Sequence, residues 1–179
     1  MYNQQQLENL FDKYGFDDFK WVTGKDINVA QWVRLKCLYG CNSYGKKSTC
    51  PPNVPTVSEC EKLFSEYGSA VVFHFNGMFE TSEQLTHWCK AINNKLSKLE
   101  KDVFLDGFYK TFVLFIDECN ICADCSSERS ECKNKKIARP CTEALAVDVY
   151  GTVRKIGYPI KVIRESNEEI NRYAILLIE

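Results

Sequence analysis

The sequence predicts an α/β (α+β) fold, with a mixed sheet, flanking helices and two cysteine-rich loops. Residues 70–75 and 111–116 are short β-rich runs, and a helix with a clear 3.6-residue period lies between them. This order favours a right-handed crossover between two parallel strands. Eight of the ten cysteines fall in two stretches, at about 34–55 and 117–142. A length of 179 residues suits a single domain, residues 1–179, that carries both loops.

Four helices are predicted from apolar periodicity and from capping signals. The first has its apolar side chains on one face and ends near Gly15. The second and third begin with capping boxes at residues 56–59 and 81–84. The fourth is predicted over residues 142–156, and Gly157 ends it.

The last part of the chain is predicted to contribute two more strands, at residues 160–163 and 173–178. Residues 165–172 lie between these runs, and we expect them to join the strands as a hairpin. With the two earlier strands, this hairpin completes the predicted mixed sheet.

Composition excludes several classes of protein. Apolar residues make up 45% and charged residues 26%, as in ordinary globular proteins. A net charge of −1 argues against nucleic-acid binding. The chain begins without the features of a signal peptide, and no apolar run approaches the ~20 residues that span a bilayer. We therefore expect a cytoplasmic protein that does not bind membranes and whose cysteines do not form a disulfide framework.

The strongest chemical signal is the C-x2-C-x2-C run at Cys119, Cys122 and Cys125. Two-residue gaps let three thiolates turn toward one centre, and a more distant cysteine supplies the fourth ligand, as in ferredoxin loops. Structural zinc sites more often pair two separated C-x2-C knuckles. The spacing therefore favours an iron–sulfur cluster of the [4Fe-4S] type, with zinc as the alternative.

The remaining cysteines define a second site and a packing role. Those in the loops are Cys37, Cys41 and Cys50 in the first, and Cys132 and Cys141 in the second. Eight thiolates would serve two clusters if Cys132 or Cys141 crosses to the first loop, as a crossing ligand does in two-cluster ferredoxins. Cys60 and Cys89 lie on apolar helix faces, so we assign both to packing.

Basic residues accompany both loops, and Arg34, Lys46 and Arg139 are the candidate cofactor contacts. A four-thiolate cubane carries a net charge of about −2, which nearby cations stabilise. Some of these cations would also suit the docking of an acidic electron carrier.

Three stretches together resemble a known family. Residues 36–52 read K-C-x-Y-G-C-x-x-Y-G-K-x-x-x-C-P-P, and residues 138–149 read A-R-P-C-T-E-A-x-A-V-D-V. With the C-x2-C-x2-C loop between them, these motifs resemble DUF2284, a family described as predicted metal-binding proteins. The resemblance covers most of the chain. It implies metal binding, with iron–sulfur chemistry in anaerobic microbes, and does not imply a particular reaction.

Three functions remain open at this point. The first is a small redox protein that passes electrons to or from a partner protein through one or two clusters. The second is an iron–sulfur enzyme, in which a cluster on Cys37, Cys41 and Cys50 leaves one iron open to substrate. The third is a zinc-stabilised binding module without redox activity. The sequence does not specify the substrate, the partner or the oligomeric state.

Overall fold

The computed structural model describes residues 4–165 and 168–179. The helices of this part of the chain are α1 (Gln4–Tyr14), α2 (Gln31–Gly40), α3 (Val57–Ser65), α4 (Ser82–Leu105) and α5 (Val149–Lys155). The strands are β1 (Phe19–Val22), β2 (Ala70–Gly77), β3 (Phe112–Leu114) and β4 (Ile170–Leu177). None of the described helices is long and apolar enough to cross a membrane.

The four strands form one sheet in the order β1-β2-β4-β3, and each neighbouring pair is antiparallel. Helices and an antiparallel sheet confirm the α+β class. The predicted pairing of residues 70–75 with residues 111–116 is wrong, and so is the mixed sheet that it implied. The two strands do run in the same direction, but β4 lies between them and pairs with both.

β4 occupies the centre of the sheet because its side chains are buried on both faces. Ala174 and Leu176 belong to a core cluster with α1 and α4, which includes Phe11 and Leu96. The alternate residues, such as Ile175, belong to a second cluster on the other face, against α3 and α5. Helices therefore cover both faces of the sheet.

Local signals located three helix boundaries correctly. The Thr56 hydroxyl accepts the Glu59 N–H at 3.4 Å, and Thr81 accepts the Gln84 N–H at 3.2 Å. Both are complete capping boxes. Gly15 follows α1 with a φ of +72°, the left-handed conformation that glycine adopts without strain.

The helix predicted over residues 142–156 is shorter than expected. A 3-10 turn at Glu143–Leu145 comes first, and Ala146 then breaks the chain direction with a φ of 59°. Asp148 caps the true helix, because its Oδ1 accepts the Gly151 N–H at 2.9 Å. The predicted end is confirmed by α5 itself, which finishes at Lys155.

The strand predicted at residues 160–163 is absent from the described part of the chain. Side chains bind the carbonyls of this region in place of a neighbouring strand: Arg154 donates to Ile160, and Tyr150 donates to Lys161 at 3.1 Å. The predicted hairpin at residues 165–172 is therefore wrong, although its residues 166–167 lie outside the described residues. The sheet instead gains β1, a short strand that the sequence analysis missed.

Candidate metal centre

The cysteines of the first loop lie at the C-terminal end of α2. Cys37 is in the last turn, and the Cys41 N–H bonds to its carbonyl at 3.4 Å. The chain then turns through Gly45, which has a φ of +68° and donates its N–H to the Pro51 carbonyl at 2.9 Å. This turn brings Cys50 back toward the helix. All three cysteines line one cavity of about 640 Å³.

Cys141, from the second loop, lines the same cavity. Just before it the chain meets the end of the sheet: the Phe115 N–H donates to the Pro140 carbonyl at 2.9 Å, and Phe115 pairs with Cys141 in a parallel bridge. The Cys37 thiol lies 3.7 Å from the carbonyl oxygen of Glu143. Four cysteines therefore line this cavity, and Cys141 is the one that belongs to the second loop.

Burial raises the pKa of three thiols of this first group, those of Cys37, Cys50 and Cys141. It raises the pKa of Cys50 to about 12, and the Glu118 carboxylate acts in the same direction. Burial also raises the pKa of Cys141 well above its ordinary value, followed by the negative charge of Glu143. Because a cysteine ligates metals as the thiolate, metal binding at this group must release protons.

The other four loop cysteines are Cys119, Cys122, Cys125 and Cys132. Two buried residues of the first loop, Ser48 and Thr49, lie among them. Ser48 Oγ is 3.8 Å from the Cys125 thiol and also hydrogen-bonds Cys132. The Thr49 hydroxyl lies toward the Cys119 sulfur. These contacts bring Cys119, Cys125 and Cys132 to one part of the first loop. Together with Cys122, the middle cysteine of the C-x2-C-x2-C run, they are called the second group.

Hydrogen-bond donors from the second loop also face this group. Asn134 Nδ2 donates to the Cys122 sulfur at 3.0 Å. Burial alone would raise the pKa of Cys132, but hydrogen bonds from Ser48 and from the Asn134 backbone outweigh it, and the Arg129 cation adds to them, so this pKa is lowered. Donors and cations of this kind stabilise thiolate over thiol.

The two loops are in contact at several points. Lys47 Nζ of the first loop pairs with a Glu118 carboxylate oxygen at 3.2 Å, and Ser43 also hydrogen-bonds Glu118. Asn53 Nδ2 donates to the Ser127 carbonyl at 2.6 Å. The loops are distant in sequence but lie close together in space. A cysteine of one loop can act at the other loop only if the two are in contact.

The three basic residues singled out from the sequence have different surroundings. Arg34 Nη2 donates to the carbonyls of Pro55 and Ala144, at 3.0 Å each, and so braces both loops. Arg139 forms an ion pair with a carboxylate on α4. Lys46 is exposed. The structure thus gives the two arginines positioning contacts within the protein, and direct cofactor contact by any of the three stays a prediction.

The two remaining cysteines lie in the core. Cys60 is fully buried, and its thiol lies 3.7 Å from the Pro55 carbonyl oxygen. Cys89 is 2% exposed, and its thiol donates to Asp117 Oδ2 at 3.2 Å. Both thiols contact protein oxygens, which fits the packing role predicted for them.

Sequence reasoning missed several side chains of the first cavity. The carboxylates of Asp117 and Glu143 line it, together with the rings of Trp32 and Tyr150. Asp117 has a φ of 49°, an uncommon backbone conformation for a non-glycine residue. Asp117 and Glu143 stand two residues from Cys119 and Cys141, so proximity to the motifs was the available signal.

The donor chemistry fits a thiolate-bound metal centre. Soft thiolate ligands in sets of four select zinc or iron–sulfur clusters. Among residues 4–165 and 168–179, no group of three or more His, Cys, Asp or Glu side chains has an arrangement that could hold a metal ion. The cysteines therefore supply the donor type of such a centre, whereas the ligand geometry stays a prediction.

Comparison with known proteins identifies the family. The family model described as "Predicted metal-binding protein (DUF2284)" matches residues 20–178. The chain belongs to the DUF2284 family. The match includes both cysteine groups, so it confirms the resemblance to this family that the three sequence motifs indicated. The description of the DUF2284 family names metal binding as its predicted property. No curated protein and no solved structure matches the chain.

Proposed function

We propose that this DUF2284 protein carries [4Fe-4S] clusters on its two groups of loop cysteines and exchanges electrons with a partner protein. The observation that carries the proposal is that four loop cysteines line the first cavity, while Cys119, Cys125 and Cys132 contact Ser48 or Thr49 and Cys122 contacts Asn134. Four cysteines are the ligand set of one cubane. When bound, such clusters supply one-electron chemistry.

The protein's own residues would hold and shield these centres. Cys50, Cys119 and Cys132 are between 5% and 7% exposed, so their sulfurs are largely protected from water. Cys41 is exposed at the end of α2. The first group therefore has one edge at the protein surface, which is where a redox partner would approach.

The partner is proposed to dock on an exposed apolar face of α2. This face consists of Trp32, Leu35, Leu38 and Tyr39, which are between 43% and 83% exposed. Exposed apolar patches of this kind mark interaction sites more often than isolated surface side chains do. The same helix carries Cys37, and Cys41 follows its last residue, so a partner on this face lies beside the exposed Cys41.

Charge indicates what kind of partner fits the α2 face. Residues 27–58 contain four cations and no Asp or Glu, although the whole chain has a net charge of −1. Lys36 lies on α2 itself and is exposed. Electrostatic complementarity steers charged proteins together and fixes their orientation. An acidic electron carrier with an apolar contact surface is therefore the proposed occupant.

The unpaired cysteines support the proposed location of the protein in the cytoplasm. All ten cysteines are free thiols. Free, clustered thiols persist where the compartment is reducing.

A second candidate function follows from the size of the first cavity. Its volume of about 640 Å³ leaves room for a small molecule beside the cysteines, and Asp117, Glu143 and Tyr150 line the same space. This observation keeps open an iron–sulfur enzyme with an open iron near Cys37, Cys41 and Cys50. Such an enzyme needs one cysteine of the first group to be dispensable for cluster binding.

Metal analysis of protein purified without oxygen tests the proposal. We expect about eight irons and a matching amount of acid-labile sulfide per chain if both groups hold cubanes. We also expect brown protein, with broad absorption near ~400 nm that fades on addition of dithionite. Colourless protein with stoichiometric zinc and no sulfide, after expression in iron-replete anaerobic cells, would favour the zinc-stabilised module and overturn the proposal.

A further inference from the structure

Two hydroxyl side chains of the first loop are buried among the cysteines of the second group. Ser48 is 1% exposed and Thr49 is 4% exposed, in a loop whose neighbours Lys46 and Gly45 are exposed. Burying a hydroxyl costs free energy unless it finds a hydrogen-bond partner. These two residues therefore need acceptors inside the protein.

Thr49 lacks such a partner in the described part of the chain. Its Oγ1 is fully buried and makes no hydrogen bond of good geometry. The acceptor toward which it lies is the sulfur of Cys119. A protonated thiol is a weak acceptor, whereas a thiolate accepts strongly.

Ser48 makes contacts whose direction depends on the charge of the sulfur. Ser48 Oγ lies 3.8 Å from the Cys125 sulfur, whose one thiol proton can also go to the Ser126 carbonyl oxygen at 3.2 Å. A metal-bound thiolate has no proton to donate, so the hydroxyl must then become the donor. The Ser48 side chain also hydrogen-bonds the Cys132 sulfur.

We propose that Thr49 and Ser48 are the hydrogen-bond donors that set the reduction potential of the second group, and that the first loop thereby tunes a centre whose ligands all come from the other loop. The inference rests on the proposed iron–sulfur function. Cys50 follows directly and lines the first cavity, so residues 48–50 contact both groups through three consecutive side chains.

The physical reason is electrostatic. Reduction adds one negative charge to a centre, and hydrogen bonds to the sulfurs stabilise the more negative state. Removing one donor therefore makes reduction harder. We expect a change of about tenfold in the reduction equilibrium, which corresponds to about 59 mV for one electron.

The test compares Thr49→Val with Thr49→Ser in an anaerobic redox titration followed by absorption and electron paramagnetic resonance. Valine keeps the shape of threonine without the hydroxyl, whereas serine keeps the hydroxyl. We expect Thr49→Val to move the potential of the second group to more negative values and Thr49→Ser to stay near the native value. The signal of the second group is the one that disappears in Cys122→Ser. The control is Thr152→Val, which removes a buried hydroxyl within α5, where it accepts the Asn28 N–H, and should leave both potentials unchanged.

Iron and sulfide contents are measured on every sample. Native potentials in a Thr49→Val protein that retains its iron would overturn the role of Thr49. If Thr49→Val does not fold, Ser48→Ala gives the same information through Cys125 and Cys132, and an unchanged potential there would also count against the proposal. Absence of iron from the native protein would instead overturn the proposed function itself, so the two failures are distinguishable.

Discussion

Arg139 and Glu100 form a two-point ion pair, with Nε 2.9 Å from Oε1 and Nη2 2.8 Å from Oε2. Glu100 lies on α4, and its Oε1 also accepts the Val113 N–H of β3 at 3.0 Å. Arg139 lies two residues before Cys141, so the pair joins the longest helix, an edge strand and the second cysteine loop. Glu100 is 5% exposed, and its burial is the main influence on its pKa, which is raised.

Glu100→Gln should destabilise the protein by about 3 kcal/mol, because it leaves a largely buried guanidinium without its charge partner. Urea denaturation of the metal-free protein measures the loss. The control is Asp102→Asn. Asp102 lies on the same helix as Glu100, but its ion pair with Lys13 of α1 is more exposed, so we expect a much smaller loss of stability. Equal losses in the two variants would show that burial does not strengthen the Arg139 pair.

Cys141→Ser tests the crossing of a ligand between the loops. We expect it to reduce the iron content from about eight to about four per chain, because the first group loses its fourth thiolate. Cys37→Ser should give the same loss, and the double variant Cys37→Ser/Cys141→Ser should lose no more than either single variant, since both remove one cluster.

The matched variant for this experiment is Cys132→Ser. Combined with Cys37→Ser it should remove both clusters, because Cys132 belongs to the other group. If Cys141→Ser is harmless while both clusters persist, one iron lacks a cysteine ligand. That outcome would contradict the electron-carrier proposal and favour the open-site enzyme.

Single substitutions should also separate ligand cysteines from core cysteines. We expect Cys122→Ser to lose the second cluster, because it removes one ligand. Cys89→Ala and Cys60→Ala should keep full metal content and lower the free energy of unfolding by only ~1–2 kcal/mol each. Iron analysis and urea denaturation measure the two effects. Equal iron loss in Cys89→Ala and Cys122→Ser would show that the sorting is wrong.

Leu35→Ser/Tyr39→Ser should weaken docking of an electron carrier on the α2 face. With a reduced acidic ferredoxin as the probe, we expect the apparent affinity to fall at least about tenfold, equivalent to about 1.4 kcal/mol. Reduction by dithionite should be unchanged, because a small reductant needs no docking surface. Stopped-flow absorption measures both reactions. Lys36→Glu should also slow association and weaken its dependence on salt.

A matched control for the docking test is Phe104→Ser/Tyr109→Ser, which removes two apolar side chains that are 54% and 73% exposed, away from the cysteines. Its reaction with the ferredoxin should match that of the native protein. Equal rates for native protein and Leu35→Ser/Tyr39→Ser would contradict the docking surface. Loss of a native dimer in that variant would show instead that a second copy of the chain covers this face.

The features predicted most accurately from the sequence are those set by contacts between residues close together in the chain. The capping boxes at Thr56 and Thr81 depend on contacts within one helical turn, so they could be identified directly. The position of β4 depends on which strand can be buried on both faces, and that is a comparison across the whole chain. The parallel pairing failed for this reason.

The candidate site divides in the same way. Spacing alone grouped Cys119, Cys122 and Cys125, because consecutive short gaps restrict where thiolates can point. It left the crossing ligand open between Cys132 and Cys141, since either choice satisfies the count. Thr49 could not be predicted as a site residue, because nothing in the sequence of a polar loop indicates that its threonine is buried against a sulfur atom.

The central position of β4 has a consequence for biosynthesis. All the loop cysteines precede β4 in the chain, so a ribosome completes both metal-binding loops before it makes the strand that joins β2 to β3. Until then β3 lacks the strand with which it pairs. The bridge between Phe115 and Cys141 therefore lies next to a strand that is not yet part of the sheet. We therefore expect the two cysteine groups to reach their final arrangement only after β4 has been synthesised.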